Sequence, residues 1–168
     1  DKKIINSPVV VVGAGIAGLC TSYYLSKNKI NHFIIERGEV GNTWIKERWD
    51  NFFLVNPNWA IKIPEFGFGT KFFPEKNPDG FLSKMQTVDL LKSYSKFIGA
   101  KIYENESVDS IERLGNKYKL TTSKRVVVSD NIVLSTGAFG NPSIPDVSSK
   151  INKNIFQIHS AEYKNFKY

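Results

Sequence analysis

The fold is decided by the stretch Val9-Val10-Val11-Val12-Gly13-Ala14-Gly15-Ile16-Ala17-Gly18, in which a run of valines leads directly into a glycine-rich turn. Consecutive valines with no polar alternation are typical of a strand buried on both faces of a parallel sheet. The segment from Leu19 to Ser26 is predicted to be a helix, and His32 to Ile35 a second short strand. Strand, turn, helix and strand in this order form one βαβ unit.

The glycine turn has the pattern Gly-x-Gly-x-x-Gly and is predicted to bind the pyrophosphate of a dinucleotide. Gly13 permits the tight turn, Gly15 lets the pyrophosphate approach the backbone, and Gly18 lets the helix pack against the strand. Unpaired N–H groups at the helix N-terminus would hold the phosphates. The predicted cofactor contacts here are Gly13, Ala14, Gly15, Ile16, Ala17 and Gly18.

Glu36 ends the second strand, and we predict that it binds a ribose. It lies 18 residues beyond Gly18 (36 − 18), close to the ~20 residues expected for the acid that hydrogen-bonds ribose hydroxyls. The same carboxylate would repel a 2′-phosphate, which disfavours NADP in this particular site. The glycine pattern and Glu36 do not distinguish FAD from NAD.

Length and composition limit the class of protein. A chain of 168 residues with 41% hydrophobic residues corresponds to one globular domain at ~100–200 residues per domain. The net charge of +7 comes from scattered lysines; it suits either a phosphate-bearing partner or an ordinary solvated surface. No basic helix, zinc-ligand pattern, signal sequence or membrane-length apolar run is found, so we expect no metal, no nucleic acid, no membrane and a cytoplasmic location.

The rest of the chain predicts a long irregular segment, one more helix and a β-meander. Residues 37–78 are rich in aromatic residues, proline and glycine, which favours an ordered binding loop. The second helix is predicted to begin at Thr87, its N-cap, and to end before Gly99. The predicted strands that follow are Ser107–Arg113, Lys117–Thr122, Lys124–Ser129 and Asn131–Ser135.

A βαβ unit, a meander and a returning strand that ends in Leu134-Ser135-Thr136-Gly137-Ala138 resemble the FAD-binding domain of the glutathione-reductase-like flavoproteins. The resemblance implies an α/β, Rossmann-like FAD-binding domain: a parallel sheet with helices plus an antiparallel β-meander. It also implies that Thr136 and Gly137 lie beside the cofactor. Disulfide reductases of the thioredoxin-reductase kind share this fold but need a cysteine pair, whereas this chain has Cys20 alone.

Three further stretches are similar to the flavin-containing monooxygenases, in particular to a bacterial branch of flavoprotein oxidoreductases. They run from Glu36 to Trp44, from Arg48 to Asp50 and from Leu54 to Trp59, and the sequence from Ser135 to Pro145 resembles the linker of that family. By this resemblance, Asn56 or Asn58 would be the asparagine beside the flavin ring, the candidate catalytic residue. The further cofactor contacts that it implies are Arg37, Thr43, Trp44, Arg48, Trp49 and the backbone of Val108.

The resemblance also implies a reaction. NADPH would reduce FAD, and the reduced flavin would take up O₂ as a C4a-(hydro)peroxide and oxygenate a soft nucleophile or a ketone. Residues 1–145 would form the FAD-binding domain and residues 146–168 a linker toward an NADPH-binding domain that this chain does not contain. We expect a small-molecule substrate and O₂ as partners and leave a homodimer open. The alternatives are a truncated FAD-binding module without turnover and a single-domain NAD-binding protein.

Overall fold

A computed structural model describes residues 2–138, 140 and 142–167, and within them the chain forms one mixed six-stranded sheet with helices. The helices are α1 (Ile16–Lys27), α2 (Asn42–Lys46) and α3 (Lys84–Ile98), with 3₁₀ turns at Asn58–Ala60 and Asp146–Lys150. The strands are β1 (Lys3–Val12), β2 (His32–Ile35), β3 (Lys101–Tyr103), β4 (Val108–Leu114), β5 (Lys117–Thr122) and β6 (Arg125–Leu134).

The sheet has the order β3-β2-β1-β6-β5-β4; the strands from β3 to β6 pair in parallel, and β6, β5 and β4 pair antiparallel, so β6 belongs to both parts. Val11 and Ile34 of the parallel part pack in the cluster that contains residues of α1 and α3. Val10 and Ile35 face the other way and pack in the cluster of the meander residues Leu120 and Val127. Helices, parallel strands and meander therefore form successive layers, which confirms the predicted fold class.

The returning strand differs from the prediction, because the expected strands Lys124–Ser129 and Asn131–Ser135 form one strand, β6. The polar residues Ser129, Asp130 and Asn131 look like a turn in the sequence. In the structure, β6 pairs in parallel with β1 over its whole length, from Arg125 opposite Lys3 to Leu134 opposite Val12. Pairing with the long strand β1, of which the valine run predicted only a part, keeps β6 extended through its polar residues.

The start of α3 and strand β3 also differ from the sequence prediction. Ser83 is the N-cap of α3 and forms a capping box with Gln86. The prediction of Thr87 as the cap was wrong: this residue lies inside the helix, where its hydroxyl donates to the carbonyl of Ser83. The helix ends before Gly99 as predicted, and Gly99 has the left-handed conformation, with φ of +68°. Strand β3, directly after it, was not predicted because it is only three residues long.

The aromatic segment 37–78 is largely irregular, as predicted, but it contains the short helix α2 and one 3₁₀ turn. Phe66 and Phe73 are buried, and the Phe66 ring lies 5.1 Å from the ring of Tyr94 on α3. Packing of these aromatic side chains on α3 keeps the segment ordered without regular hydrogen bonding. In the part of the chain that the structure describes, no helix has the length and apolar character needed to span a membrane.

Candidate functional site

The glycine turn lies at the carboxyl end of β1, between the ends of its two neighbouring strands. The Gly13 N–H donates to the carbonyl of Ile35 on β2 (2.8 Å), and the Ser135 N–H, after β6, donates to the carbonyl of Val12 (2.8 Å). Gly13 has φ of +106°, and a Cβ there would lie 2.4 Å from the Ser135 oxygen. Only glycine fits this position, because both the backbone conformation and the space exclude a side chain.

Gly15 and Gly18 differ in what surrounds them. A Cβ on Gly18 would lie 1.9 Å from the Gly13 oxygen, whereas a Cβ on Gly15 would meet no atom of the described residues within 4 Å. Gly15 is the N-cap of α1, no side chain caps that helix, and its first turn contains no acidic residue. The helix thus begins with unpaired N–H groups beside open space, and this arrangement fits the pyrophosphate of a dinucleotide.

The Glu36 carboxylate lies against the glycine turn, although only 8% of the residue is exposed. Its Oε2 accepts the Ala14 N–H at 2.8 Å and its Oε1 accepts the Gly38 N–H at 2.9 Å. These two bonds fix the plane of the carboxylate. Each oxygen keeps acceptor capacity for a further donor, so hydroxyl groups of a ribose suit this position.

Tyr103, the last residue of β3, and residues 104–106 after it form the support behind Glu36. The backbone N–H of Glu36 donates to Tyr103, and its carbonyl accepts the N–H of Glu106, both at 2.9 Å. Asn105 donates from its backbone to Gly38 at 2.7 Å. Val108 begins β4 two residues beyond Glu106 (108 − 106) and is half-buried. The predicted adenine contact therefore follows directly on the segment that holds the predicted ribose contact.

Arg37, Thr136 and Gly137 lie at the same end of the parallel strands. Arg37 forms an ion pair with Glu47, and a Cβ on Gly140 would lie 3.8 Å from its Nη1. Thr136 and Gly137 are exposed and directly follow Ser135, with Gly137 at φ of +73°. Two positions of the predicted linker pattern, Phe139 and Asn141, lie outside the described residues.

The candidate flavin-flanking residues are on and after α2. The Gly41 N–H, just before this helix, lies 3.4 Å from the Ala14 carbonyl and so connects α2 to the glycine turn. Trp44 packs partly buried on the core next to Thr43. The guanidinium carbon of Arg48 lies 5.3 Å from the Trp44 ring centroid. Trp49 makes an edge-to-face contact with Phe52, with their centroids 4.6 Å apart.

The two candidate catalytic asparagines have different surroundings. Asn58 is 1% exposed; its Nδ2 donates to the Asn77 carbonyl and its backbone N–H to Gly80, both at 2.8 Å. These bonds hold Asn58 against the turn at residues 77–80, and they do not connect it to the glycine turn. Asn56 is exposed. The assignment of either residue to the flavin ring stays a prediction.

Cys20 and Tyr94 have perturbed acidity and lie in the core where α1 packs against α3. Burial raises the pKa of the Cys20 thiol, and the neighbouring Tyr94 hydroxyl lowers it by a smaller amount. Burial is also the main cause of the raised pKa of Tyr94, and the charge of a Cys20 thiolate adds to it. At neutral pH the thiol is protonated, so Cys20 is not an activated nucleophile.

Sequence reasoning missed three residues that organise this region. Glu104 accepts the Val40 N–H at 2.8 Å, and Glu106 is a fully buried carboxylate paired with Arg125. A prediction of β3 would have made Glu104 and Glu106 candidate site residues, because both follow closely after that strand. Without β3, they look like part of a solvated loop.

The family described as pyridine nucleotide-disulphide oxidoreductase matches residues 10–168 of the chain. CzcO, an uncharacterized oxidoreductase of Bacillus subtilis (strain 168), is 34% identical, over 94% of this chain and 44% of CzcO. The chain spans less than half the length of three curated relatives that it matches, 43% of one and 44% of the two others.

Solved structures show the same fold. A flavin monooxygenase from Stenotrophomonas maltophilia superposes with a TM-score of 0.78 at 21% identity, over 95% of this chain and 46% of that protein. The complex of OTEMO with FAD and NADP superposes with a TM-score of 0.70 at 20% identity, over 83% of this chain and 27% of that protein.

Proposed function

The chain belongs to the pyridine nucleotide-disulphide oxidoreductase family, and from this premise we propose that it is the FAD-binding part of an NAD(P)H-dependent flavoprotein monooxygenase. The observation that carries the proposal is the open N-terminus of α1 at Gly15 with the Glu36 carboxylate beside it. Pyrophosphate and ribose lie next to each other in FAD. The site offers N–H donors to the first and a carboxylate acceptor to the second.

The flavin end of the cofactor would extend from the glycine turn toward α2. The bond between Gly41 and Ala14 connects these two parts of the chain. Trp44 and Trp49 offer flat apolar surfaces there, both packed on the buried Phe52, and Arg48 adds a cation. Aromatic faces of this kind suit a planar, partly polar ring system. The structures of the S. maltophilia flavin monooxygenase and of OTEMO with FAD and NADP support a flavin in this fold.

FAD, when bound, supplies hydride acceptance from NADPH and activation of O₂ for transfer of one oxygen atom to a soft nucleophile or a ketone. The role proposed for the chain's own residues is to bind FAD and to orient it. The α1 N–H groups would bind the pyrophosphate, Glu36 would bind the ribose, and the aromatic side chains near α2 would exclude water from the flavin. Asn56 or Asn58 remains the candidate for contact with the reacting part of the flavin.

The organisation of the larger protein follows from the same proposal. Residues 1–145 form the FAD-binding domain and residues 146–168 a linker that leads toward an NADPH-binding domain. The relatives are more than twice as long as the part that this chain matches, which supports a division of this kind. Glu36 disfavours a 2′-phosphate in the first site, so NADPH would bind in the second. A cytoplasmic location, and a homodimer as one form of assembly, stay predictions.

The experiment that tests the proposal is the visible absorption spectrum of the purified protein, with the released cofactor identified by mass. We expect a flavin spectrum, present on purification or obtained after FAD is added. A protein that stays colourless after addition of FAD contradicts the proposal. If it binds NAD instead, the single-domain NAD-binding alternative is correct.

Gly15→Val tests the position of the site. The valine side chain would occupy the open space at the start of α1, where Gly15 has φ of −84°, a value that any residue adopts. We therefore expect the variant to fold with a melting temperature close to that of the wild type and to retain no FAD. If the variant binds FAD as the wild type does, the pyrophosphate lies elsewhere.

A further inference from the structure

A buried ion pair between the meander and the loop after β3 lies directly behind the Glu36 strand end. Glu106 is 1% exposed. Its Oε1 accepts hydrogen bonds from Arg125 Nε at 2.9 Å and from the Thr122 hydroxyl at 2.5 Å. Arg125 Nη2 lies 2.8 Å from Oε2, but no donor among the described residues is aligned for a hydrogen bond with that oxygen.

The two partners of this pair are fixed from further directions. The Arg125 guanidinium lies over the ring of Tyr103, 3.7 Å from its centroid. The Thr122 hydroxyl accepts the backbone N–H of Arg125 and of Lys124 while it donates to Glu106. A planar guanidinium held on a ring and against a carboxylate has little freedom to move. The pair is therefore a rigid connection between the start of β6 and residues 103–106.

This connection reaches Glu36 through the backbone. The N–H of Glu106 donates to the Glu36 carbonyl, and Tyr103, under the guanidinium, accepts the Glu36 N–H. The backbone N–H and carbonyl of Glu36 thus bond to Tyr103 and Glu106, the two residues that the Arg125 guanidinium contacts. The Glu36 side chain projects from this fixed backbone to the Ala14 N–H of the glycine turn.

We propose that Glu106 and Arg125 are positioning residues for Glu36 and so determine how tightly the site binds the ribose of an adenine nucleotide. The inference rests on the proposed function, because it needs a nucleotide at the glycine turn. A purely stabilising role is a poor explanation of the pair. Taking two charges out of water offsets much of their attraction, and apolar residues of similar size often give equal stability.

The test replaces both charges at once, in the double variant Glu106→Leu/Arg125→Met. The Thr122 hydroxyl keeps an acceptor in this variant, the Arg125 backbone carbonyl at 3.0 Å, so we expect a melting temperature close to the wild-type value. Binding of ADP and of 2′-deoxy-ADP is measured by calorimetry. The two ligands differ only in the ribose hydroxyl that a positioned carboxylate would accept.

The ratio of the two affinities is the decisive quantity. The wild type is expected to prefer ADP by about tenfold or more, the scale of one hydrogen bond to a charged group. The double variant should bind ADP about tenfold more weakly and bind both ligands almost equally. An unchanged ratio of the two affinities overturns the inference. This holds even if both affinities fall, because a loss of structure alone would weaken the binding of both ligands equally.

Two controls keep the test decisive. Lys117→Gln/Asp130→Asn removes an ion pair of the same meander whose side chains are 55% and 50% exposed; its ratio should equal that of the wild type. If the apolar double variant does not fold, Arg125→Lys replaces it. Lysine keeps the charge but not the two-pronged contact or the stacking on Tyr103, so a wild-type ratio in that variant overturns the inference. A wild type that binds neither ADP nor FAD contradicts the proposed function itself.

Discussion

The three glycines of the turn have separate physical roles, and the space around each one shows which role it has. Gly13 is required by its backbone conformation and by the Ser135 carbonyl, and Gly18 by the contact of α1 with the turn, whereas no described residue requires a glycine at position 15. A position that tolerates a side chain in the folded chain but carries glycine points to a ligand. The structure thus separates the two folding requirements from the binding requirement.

Gly18→Ala is expected to destabilise the protein. Its methyl group would lie 1.9 Å from the Gly13 oxygen, so the helix must move away from the strand, at a cost of about 1–3 kcal/mol in the free energy of unfolding. Urea titration measures the change, with Gly15→Ala as the matched control because its methyl group meets open space. Equal stability of the two variants would show that the helix and the turn are less closely packed.

Glu36→Ala is expected to weaken both folding and binding. The substitution leaves the N–H groups of Ala14 and Gly38 without their acceptor, which should lower the free energy of unfolding by about 1–3 kcal/mol. FAD affinity should fall by a similar amount, about 1–3 kcal/mol, because a hydrogen bond to a charged group is lost. Urea titration and fluorescence titration with FAD measure the two effects. Unchanged FAD affinity would contradict the ribose assignment.

At the scale of elements, the cap of α3 is a local feature with a measurable effect. Ser83→Ala removes the hydroxyl that accepts the Gln86 N–H at 3.2 Å and leaves the start of the helix uncapped. We expect a loss of about 1 kcal/mol in the free energy of unfolding. Ser83→Asn keeps a capping acceptor and should retain most of the stability. If the alanine variant is as stable as the asparagine variant, the cap contributes little.

The elements that the sequence predicted well are those whose signals are local. The valine run, the glycine turn and the short strand before Glu36 can each be identified from a few consecutive residues. Strand β2 has the predicted bounds. Strand β6 was divided in the prediction because its polar middle is tolerated only through pairing with β1, a contact distant in sequence. The Thr87 cap failed because Ser83, four residues earlier, offers the better capping box with Gln86.

The candidate site also divides into a part with local sequence signals, which was predicted, and a part that depends on contacts distant in sequence, which was not. Glycine spacing and the acid at the end of a strand identify the nucleotide-binding turn without any structure. The support behind that acid does not appear in the sequence, because Glu106 and Arg125 meet only when the meander folds over the parallel strands. Asn58 is a different case. A motif resemblance made it a candidate contact of the flavin ring, whereas in the structure its side chain donates a hydrogen bond to the 77–80 turn.

At the scale of the whole molecule, the site lies where the chain changes direction in the sheet. From β1 the chain continues to β2 on one side, whereas β6 joins β1 on the other side. In an open parallel sheet, the usual ligand position is at such a switch point, outside the carboxyl ends of the strands. Gly13, Glu36 and Ser135 come from the ends of β1, β2 and β6 and meet there.

Stability of the whole molecule should fall in alkaline solution because of two groups in the core. Cys20 and Tyr94 both have a raised pKa in the folded chain, chiefly through burial. The folded state therefore holds these protons more tightly than the unfolded state. Their contribution is complete below pH 9.0, the ordinary value for the thiol, and it is lost as the pH rises through the folded-state values.

Tyr94→Phe separates the contribution of the phenol from that of the thiol. The variant keeps the ring that packs on Phe66 and Tyr23 but removes the proton that must be lost at high pH. We expect a shallower decline of the urea midpoint between neutral and strongly alkaline pH than in the wild type. Tyr24→Phe, at a position that is 54% exposed, should follow the wild-type profile. Identical profiles for all three proteins would show that burial of Tyr94 does not resist its ionisation, because only unequal proton binding in the two states links pH to stability.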